Sequence, residues 1–477
     1  MENKVKKCPG CKRTSCTGCG IFQKLNTNKQ IRVQFPEGFA ADAGEGLGIS
    51  FDVGTTTMAG MLWDLKEGRL LDAETGANPQ AIFGADVISR IQAAMGGGES
   101  LEKMQKLVIR KLDEIAAKMI ERHSNKEGDG GCCRDKLRKV TIAGNTAMCE
   151  ILMGIEPKGL FKAPFMPDYD GSVYVEGKRL GFESLKDADV MILPPIGGYV
   201  GADALAVYSY VNLQEQGNKV LAVDIGTNGE ILLLCNGQRY ACSAAAGPAL
   251  EGGAVSQGMR AVKGAVDMVS LGGRFPMQDI VCRVIGGGNP AGICGSGLVD
   301  GLALLYQIGV LDYTGYMRSV KEAKMAGVPE RICRRIESID GTRRFLLTDE
   351  SHPVYLQSID VRQMQLSVSA IRTGMEILLE KAGMHAKELD KIYLAGAFGC
   401  YISIESGIAI GLFPDVSREK IVQAGNLAGT GAAMALLSGK VLQELEKESY
   451  YFTHVELAEE ETFRDRFFKH MNFPLKI

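Results

Sequence analysis

One short phrase occurs twice in this chain, and its repetition limits the possible folds more than any other feature. The first copy is Gly48-Ile-Ser-Phe-Asp-Val-Gly-Thr-Thr-Thr57 and the second is Val220-Leu-Ala-Val-Asp-Ile-Gly-Thr-Asn-Gly229. Each is an apolar run, one aspartate, then Gly-Thr. The flanks match as well. Met58-Ala-Gly-Met-Leu-Trp-Asp64, a Lys66-Glu67-Gly68 turn and Arg69-Leu-Leu-Asp72 follow the first copy. Glu230-Ile-Leu-Leu-Leu-Cys235, an Asn236-Gly237 turn and Gln238-Arg-Tyr-Ala241 follow the second. Both predict three strands joined by tight turns, because apolar runs alternate with residues that favour reversal. A duplicated unit with an acid at the end of a buried strand predicts two related lobes facing one ligand.

The phrase also has a chemistry. A buried strand delivers Asp52, and again Asp224, to a sheet edge. Gly54 and Gly226 let the chain turn with backbone N–H groups exposed, and threonine hydroxyls add donors. Such donors suit phosphate oxygens. A carboxylate at that point suits Mg²⁺, usually through water.

The order of elements repeats along the chain. In the first half, helical stretches at Gly84–Ala94 and Leu101–Arg122 precede a strand, Lys139-Val-Thr-Ile-Ala143, that ends in Gly144-Asn145-Thr146. Leu193-Pro-Pro-Ile-Gly-Gly-Tyr-Val-Gly-Ala-Asp-Ala204 then opens a helix. In the second half, a long helix from about 361 to 382 precedes Lys391-Ile-Tyr-Leu-Ala395, which ends in Gly396-Ala397-Phe398-Gly399. Gly425-Asn-Leu-Ala-Gly-Thr-Gly-Ala-Ala433 opens the last major helix, and 449–477 predicts a strand and short helix capping the second lobe. We expect a segment at 1–47, a first lobe at 48–212 and a second at 213–477.

Composition narrows the function classes. Of 477 residues, 45% are apolar, enough for large cores, and the net charge of −3 argues against nucleic acid or an anionic membrane as partner. No uncharged apolar stretch approaches 18 residues, so no membrane span is expected. The N-terminus lacks the apolar core of a signal peptide. The expected location is the cytoplasm, where 13 cysteines are thiols or metal ligands rather than disulfides.

This layout resembles the superfamily of acetate and sugar kinases, Hsp70 and actin, in which two ribonuclease-H-like α/β lobes close over ATP. Asp52-Gly54-Thr55 matches its first phosphate motif, Asp224-Gly226-Thr227 the second, and Leu394-Ala-Gly-Ala-Phe-Gly399 the adenosine motif. Ala246-Gly-Pro-Ala-Leu-Glu-Gly252, Gly292-Ile-Cys-Gly-Ser-Gly-Leu-Val-Asp300 and Asp360-Val-Arg-Gln-Met-Gln365 narrow the match. With Leu193–Asp203 and the capping tail, they resemble the reductive activators of corrinoid proteins across residues 48–477. The resemblance implies coupling of ATP hydrolysis to electron delivery, which returns a cobalt(II) corrinoid to cobalt(I). It implies that Asp52 and Asp224 face each other across the cleft, one holding Mg²⁺ through water and the other placing the attacking water. Thr55, Thr56, Thr57, Thr227, Asn228 and Gly229 would cradle the phosphates, and Gly396, Ala397, Phe398 and Gly399 would admit the adenosine. Glu251 could reach Mg²⁺ or water, or simply stabilise its turn. Gly287, in Gly286-Gly-Gly-Asn-Pro290, could touch the nucleotide or sit in a loop between lobes. The implied partners are a corrinoid protein or corrinoid-dependent methyltransferase and a low-potential donor such as ferredoxin or flavodoxin. A homodimer is implied by relatives.

That job needs an iron–sulfur centre. Cys8-Pro-Gly-Cys11-Lys-Arg-Thr-Ser-Cys16-Thr-Gly-Cys19 places four thiols in one short loop. A [4Fe–4S] cluster takes four cysteines and suits a low-potential one-electron carrier. Cys11-x₄-Cys16-x₂-Cys19 also has plant-type [2Fe–2S] spacing, though that type expects its fourth ligand far downstream. A Zn²⁺ knuckle is the third possibility. Cys149, Cys235, Cys242 and Cys282 read as buried packing residues. Rival functions on this body are an electron-injecting activator of a radical 2-hydroxyacyl-CoA dehydratase, a small-molecule kinase and a zinc-headed ATP-binding scaffold.

Overall fold

In the computed structural model, which describes residues 33–127, 136–274, 277–399 and 401–475, the duplicated phrase becomes two six-stranded sheets that share a five-strand order and carry the sixth strand on opposite edges. The first contains β1 (Leu47–Val53), β2 (Thr57–Asp64), β3 (Arg69–Ala77), β4 (Leu137–Gly144), β5 (Val173–Glu176) and β6 (Asp189–Ile192), in the order β3-β2-β1-β4-β6-β5. The second begins with β7 (Val220–Ile225), β8 (Gly229–Cys235) and β9 (Gln238–Ala244). Two small three-stranded sheets follow. One holds β10 (Ala265–Gly272), β11 (Asp279–Val284) and β12 (Gly292–Ile293); the other holds β13 (Ile336–Ile339), β14 (Thr342–Leu346) and β15 (Tyr355–Gln357). The second large sheet is completed by β16 (Lys391–Ala395), β17 (Ile421–Gly425) and β18 (Thr453–His454), in the order β17-β16-β7-β8-β9-β18.

Strand directions repeat as well. β1 pairs antiparallel with β2 and parallel with β4, and β7 does the same with β8 and β16. Parallel strands need a crossover, and helices supply it on the sheet faces. Gly98–Glu127 packs on β2 and β3 and puts Met104, Val108, Leu112 and Ile115 in one buried core with Ile49 and Phe51 of β1. Ser358–Lys381 packs on β8 and β9 and puts Met364, Val368 and Ile371 in one buried core with Val223 and Ile231.

Two further helices are exchanged between lobes. Ala202–Gln214 closes the first half of the chain yet packs on β7 and β8 as well as β4. Leu427–Leu437 belongs to the second half yet packs on β1, β2 and β4. All eleven residues of Leu427–Leu437 are buried, as expected for a helix apolar on every side. The two helices cross with backbones in contact. A Cβ at Gly431 would lie 1.9 Å from the Ala206 carbonyl oxygen, so only glycine fits.

Residues 33–46 lie along this joint. Phe35 packs against Trp63 at 5.4 Å between ring centroids. The Asp42 N–H donates to the Leu437 carbonyl (2.8 Å), and Asp42 Oδ1 accepts from Gly439 N–H (2.7 Å). Among the described residues no helix is long and apolar enough to cross a membrane.

Candidate functional site

The site forms where β1 and β7 end. Each strand is buried until its penultimate residue, Asp52 or Asp224, which keeps some surface in the cleft. The turns then close on themselves. Gly54 N–H donates to Thr57 O (3.1 Å) and Gly226 N–H to Asn228 O (3.0 Å). Asn78 fixes the first turn from behind: its N–H donates to Thr56 O (2.9 Å) and its side-chain amide to Gly54 O (3.0 Å). Thr55 stays in the turn, Thr57 opens β2 and Gly229 opens β8.

The two turns meet across the cleft. Thr56 Oγ1 lies 3.2 Å from Thr227 Oγ1. Both hydroxyls donate to one oxygen, Glu251 Oε2, at 3.0 and 2.8 Å. Glu251 ends a short 3₁₀ turn, Pro248–Glu251, in the motif that followed the second hairpin. It therefore bridges the lobes rather than serving its own turn alone.

The acids are crowded. Burial pushes Asp52 up to about 6, and the Asn426 amide, which donates to Asp52 Oδ2 at 2.8 Å, opposes that rise. Burial also lifts Asp224 well above the carboxylate range, reinforced by Asp52, Asp203 and Glu251. Asp203, in the first turn of Ala202–Gln214, is raised to about 7 by burial and by Asp52. Glu230, directly across the ladder from Asp224, is raised by burial, then by Asp203 and Asp224. The sequence patterns gave Asp203 and Glu230 no role. Asp203 was visible as the acid closing Leu193–Asp203, and Glu230 as the acid straight after the second turn.

Like charges gathered this way favour a cation among them. Among the described residues no three His, Cys, Asp or Glu side chains are disposed to hold a metal ion directly. A hard ion that keeps its water suits this donor set better than one stripped of it.

Gly396 follows β16 at φ +81°, and a Cβ there would lie 2.3 Å from Asp224 Oδ1. Gly396–Gly399, with Ala397 and Phe398 on its backbone, forms one helical turn beside the acid. Gly399 O accepts from Gln423 Nε2 at 3.1 Å. Gly287 sits in an exposed turn after β11, where its N–H is bonded to Val284 O (3.0 Å). Cys294 packs at the start of Gly295–Gln307, its Sγ 3.5 Å from Val266 O. Cys149, Cys235 and Cys242 are buried as expected, but Cys282, on the edge strand β11, is only half-buried. Cys8, Cys11, Cys16 and Cys19 lie outside the described residues.

Comparison with known proteins matches two successive stretches of the chain. Residues 47–216 match the model of the RACo middle region, and 218–476 that of the C-terminal domain of RACo, the ASKHA domain. The chain belongs to the RACo family. The corrinoid activation enzyme RamQ of Eubacterium limosum is 33% identical over 432 residues, covering 89% of this chain and 70% of that protein. The [Co(II) methylated amine-specific corrinoid protein] reductase of Methanosarcina barkeri is 24% identical over 445 residues, covering 88% and 75%. A solved reductive activator for corrinoid, iron–sulfur protein superposes with a TM-score of 0.77 at 30% identity, covering 91% of this chain and 67% of that one. Both duplicated Gly-Thr turns and the Gly396 turn fall inside the RACo matches.

Proposed function

We propose that this chain is an ATP-dependent reductive activator of a corrinoid protein, converting cobalt(II) to cobalt(I). The observation that carries the reading is the 33% identity to a corrinoid activation enzyme across 89% of the chain. The cleft chemistry supports it. Thr56 and Thr227 offer hydroxyls, and the Gly54 and Gly226 turns bring backbone groups to the same point. Asp52 and Asp224 would hold hydrated Mg²⁺ and orient the attacking water; the ion, when bound, supplies the positive charge that acids and triphosphate both need. Gly396, with Ala397, Phe398 and Gly399, would border the adenosine.

Cys8, Cys11, Cys16 and Cys19 would hold an iron–sulfur cluster, with four iron atoms favoured. When bound, it supplies a one-electron relay from a low-potential donor such as ferredoxin or flavodoxin. ATP does not raise an electron's energy by itself. Its hydrolysis acts by altering the complex with the corrinoid partner, through closure of the lobes. A homodimer is part of this reading.

The test mixes the protein with a cobalt(II) corrinoid protein, a low-potential donor and Mg-ATP, and follows cobalt(I) by visible absorbance. Reduction should require ATP, and Asp52→Asn and Asp224→Asn should each stop both hydrolysis and reduction. Equal reduction with and without ATP would overturn the reading in favour of a simple electron carrier.

A further inference from the structure

Asn426 has two jobs at one position. Its Oδ1 accepts the Gly429 N–H (2.7 Å), which caps the helix Leu427–Leu437. Its Nδ2 donates to Asp52 Oδ2 (2.8 Å), an acid of the first lobe. The other end of the same helix is held by residues ahead of the first strand. Asp42 N–H donates to Leu437 O, and Asp42 Oδ1 takes the N–H of Gly439, which opens the next helix, Gly439–Glu448. Eleven helical residues span about 17 Å. One stiff, fully buried helix thus has a hydrogen bond to a cleft acid at its start and a pair of hydrogen bonds to Asp42 at its end. Phe35, Phe39 and Ala41 pack on Trp63 and Leu436 nearby. Upstream of Asp42 the chain leads to the four cysteines of residues 8–19.

We propose that Asn426 is a positioning residue that couples the nucleotide cleft, through the helix Leu427–Leu437, to residues 33–46. This rests on the ATP reading above. A buried helix whose backbone touches that of Ala202–Gln214 at Gly431 has no room to bend, so a displacement at its start is carried to its end. The asparagine amide combines a cap acceptor with a donor that reaches the acid: serine at this position would cap equally well, but its shorter side chain would not span to Asp52 while capping.

The experiment compares hydrogen exchange of the peptide spanning residues 36–46 with and without Mg-AMP-PNP, in the full-length protein. In the native chain the analogue should slow exchange at Asp42, whose N–H is bonded to Leu437 O. Asn426→Ser, which keeps the cap, should still show an analogue-induced rise in melting temperature but lose the nucleotide-dependent protection. Asn426→Gln, which restores an amide, should recover part of it. Because coupling is reciprocal, Asp42→Ala should weaken analogue binding although it lies far from the cleft. That second variant keeps the test open if Asn426→Ser fails to fold. Unchanged nucleotide-dependent protection in Asn426→Ser, or unchanged analogue affinity in Asp42→Ala, overturns the coupling. A native protein that shows no analogue-induced melting shift overturns the ATP reading itself.

Discussion

Gly396→Ala isolates what the second-lobe acid requires. The residue sits at φ +81°, where any side chain is strained, and the added methyl would lie 2.3 Å from Asp224 Oδ1. The strain alone costs ~1–2 kcal/mol. Forcing the carboxylate aside adds ~1–3 kcal/mol, the usual range for overpacking. Gly383→Ala provides the matching control, because Gly383 has φ +64° and open space where its Cβ would be. It incurs the strain without the clash. Gly396→Ala should therefore melt below Gly383→Ala, which should itself melt slightly below the native protein. Activity should separate them further. Displacing a reacting group by ~1 Å costs roughly 10²-fold in turnover, so Gly396→Ala should lose most Mg-ATP hydrolysis while Gly383→Ala keeps it. Equal melting and equal turnover in the two variants would refute the claim that glycine is there to seat Asp224.

Further outcomes follow from the same geometry. Asp203 lies near 7 when folded against 3.8 for the free side chain, so folding takes up a proton between those values and stability falls as pH rises through that window. Metal-free protein should melt higher at pH ~5.5 than at ~7.5, and Asp203→Asn should lose part of that difference; an identical difference in the variant would contradict the assignment. The chain has one tryptophan, Trp63, buried beside Phe35 with its indole N–H donating to Ser50 Oγ at 3.0 Å. Phe35→Ala should shift its fluorescence to the red, and unchanged emission would mean that residues 33–46 do not cover it. Cys19→Ser should bleach the iron chromophore of anaerobic protein yet leave ATP hydrolysis largely intact, whereas zinc at one equivalent without sulfide would replace the cluster by a zinc knuckle.

What could be read from the sequence was local. The three-strand units beginning at Gly48 and Val220 were legible because apolar runs and Gly-containing turns alternate at strand spacing. The strand Lys391–Ala395 was legible because it is a short apolar run ending in glycine. The long helices were legible too, though their ends moved by a few residues: the stretch read from Leu101 to Arg122 spans Gly98–Glu127. The small sheets were missed. Four of their six strands run only two to five residues, and in Asp279–Val284 Ile280 alone is buried. The cleft was half legible. Asp52 and Asp224 stood out because strand, acid and turn are contiguous. Asp203 and Asn426 join them only through pairing between distant segments, which no local pattern encodes, whereas Glu230 faces Asp224 across the same hairpin and was passed over because an acid beside a turn is usually a solvated one. Glu251 was suspected, but its hold on Thr56 and Thr227 depends on two turns far apart in the chain.

The exchanged helices make the two halves of this protein mutual scaffolds. A polypeptide ending near residue 216 would leave one face of β1, β2 and β4 without Leu427–Leu437, and would expose on Ala202–Gln214 the surface meant for β7 and β8. A polypeptide beginning near 218 would carry Leu427–Leu437 without β1, β2, β4 and Ala202–Gln214 to cover it. Each half alone would lack part of its buried packing. The chain must assemble as one cooperative unit, so a destabilising change in either half should lower the melting of both together. The boundary between the RACo middle region and the ASKHA domain is thus a seam in the sequence and not a line along which the molecule could be cut.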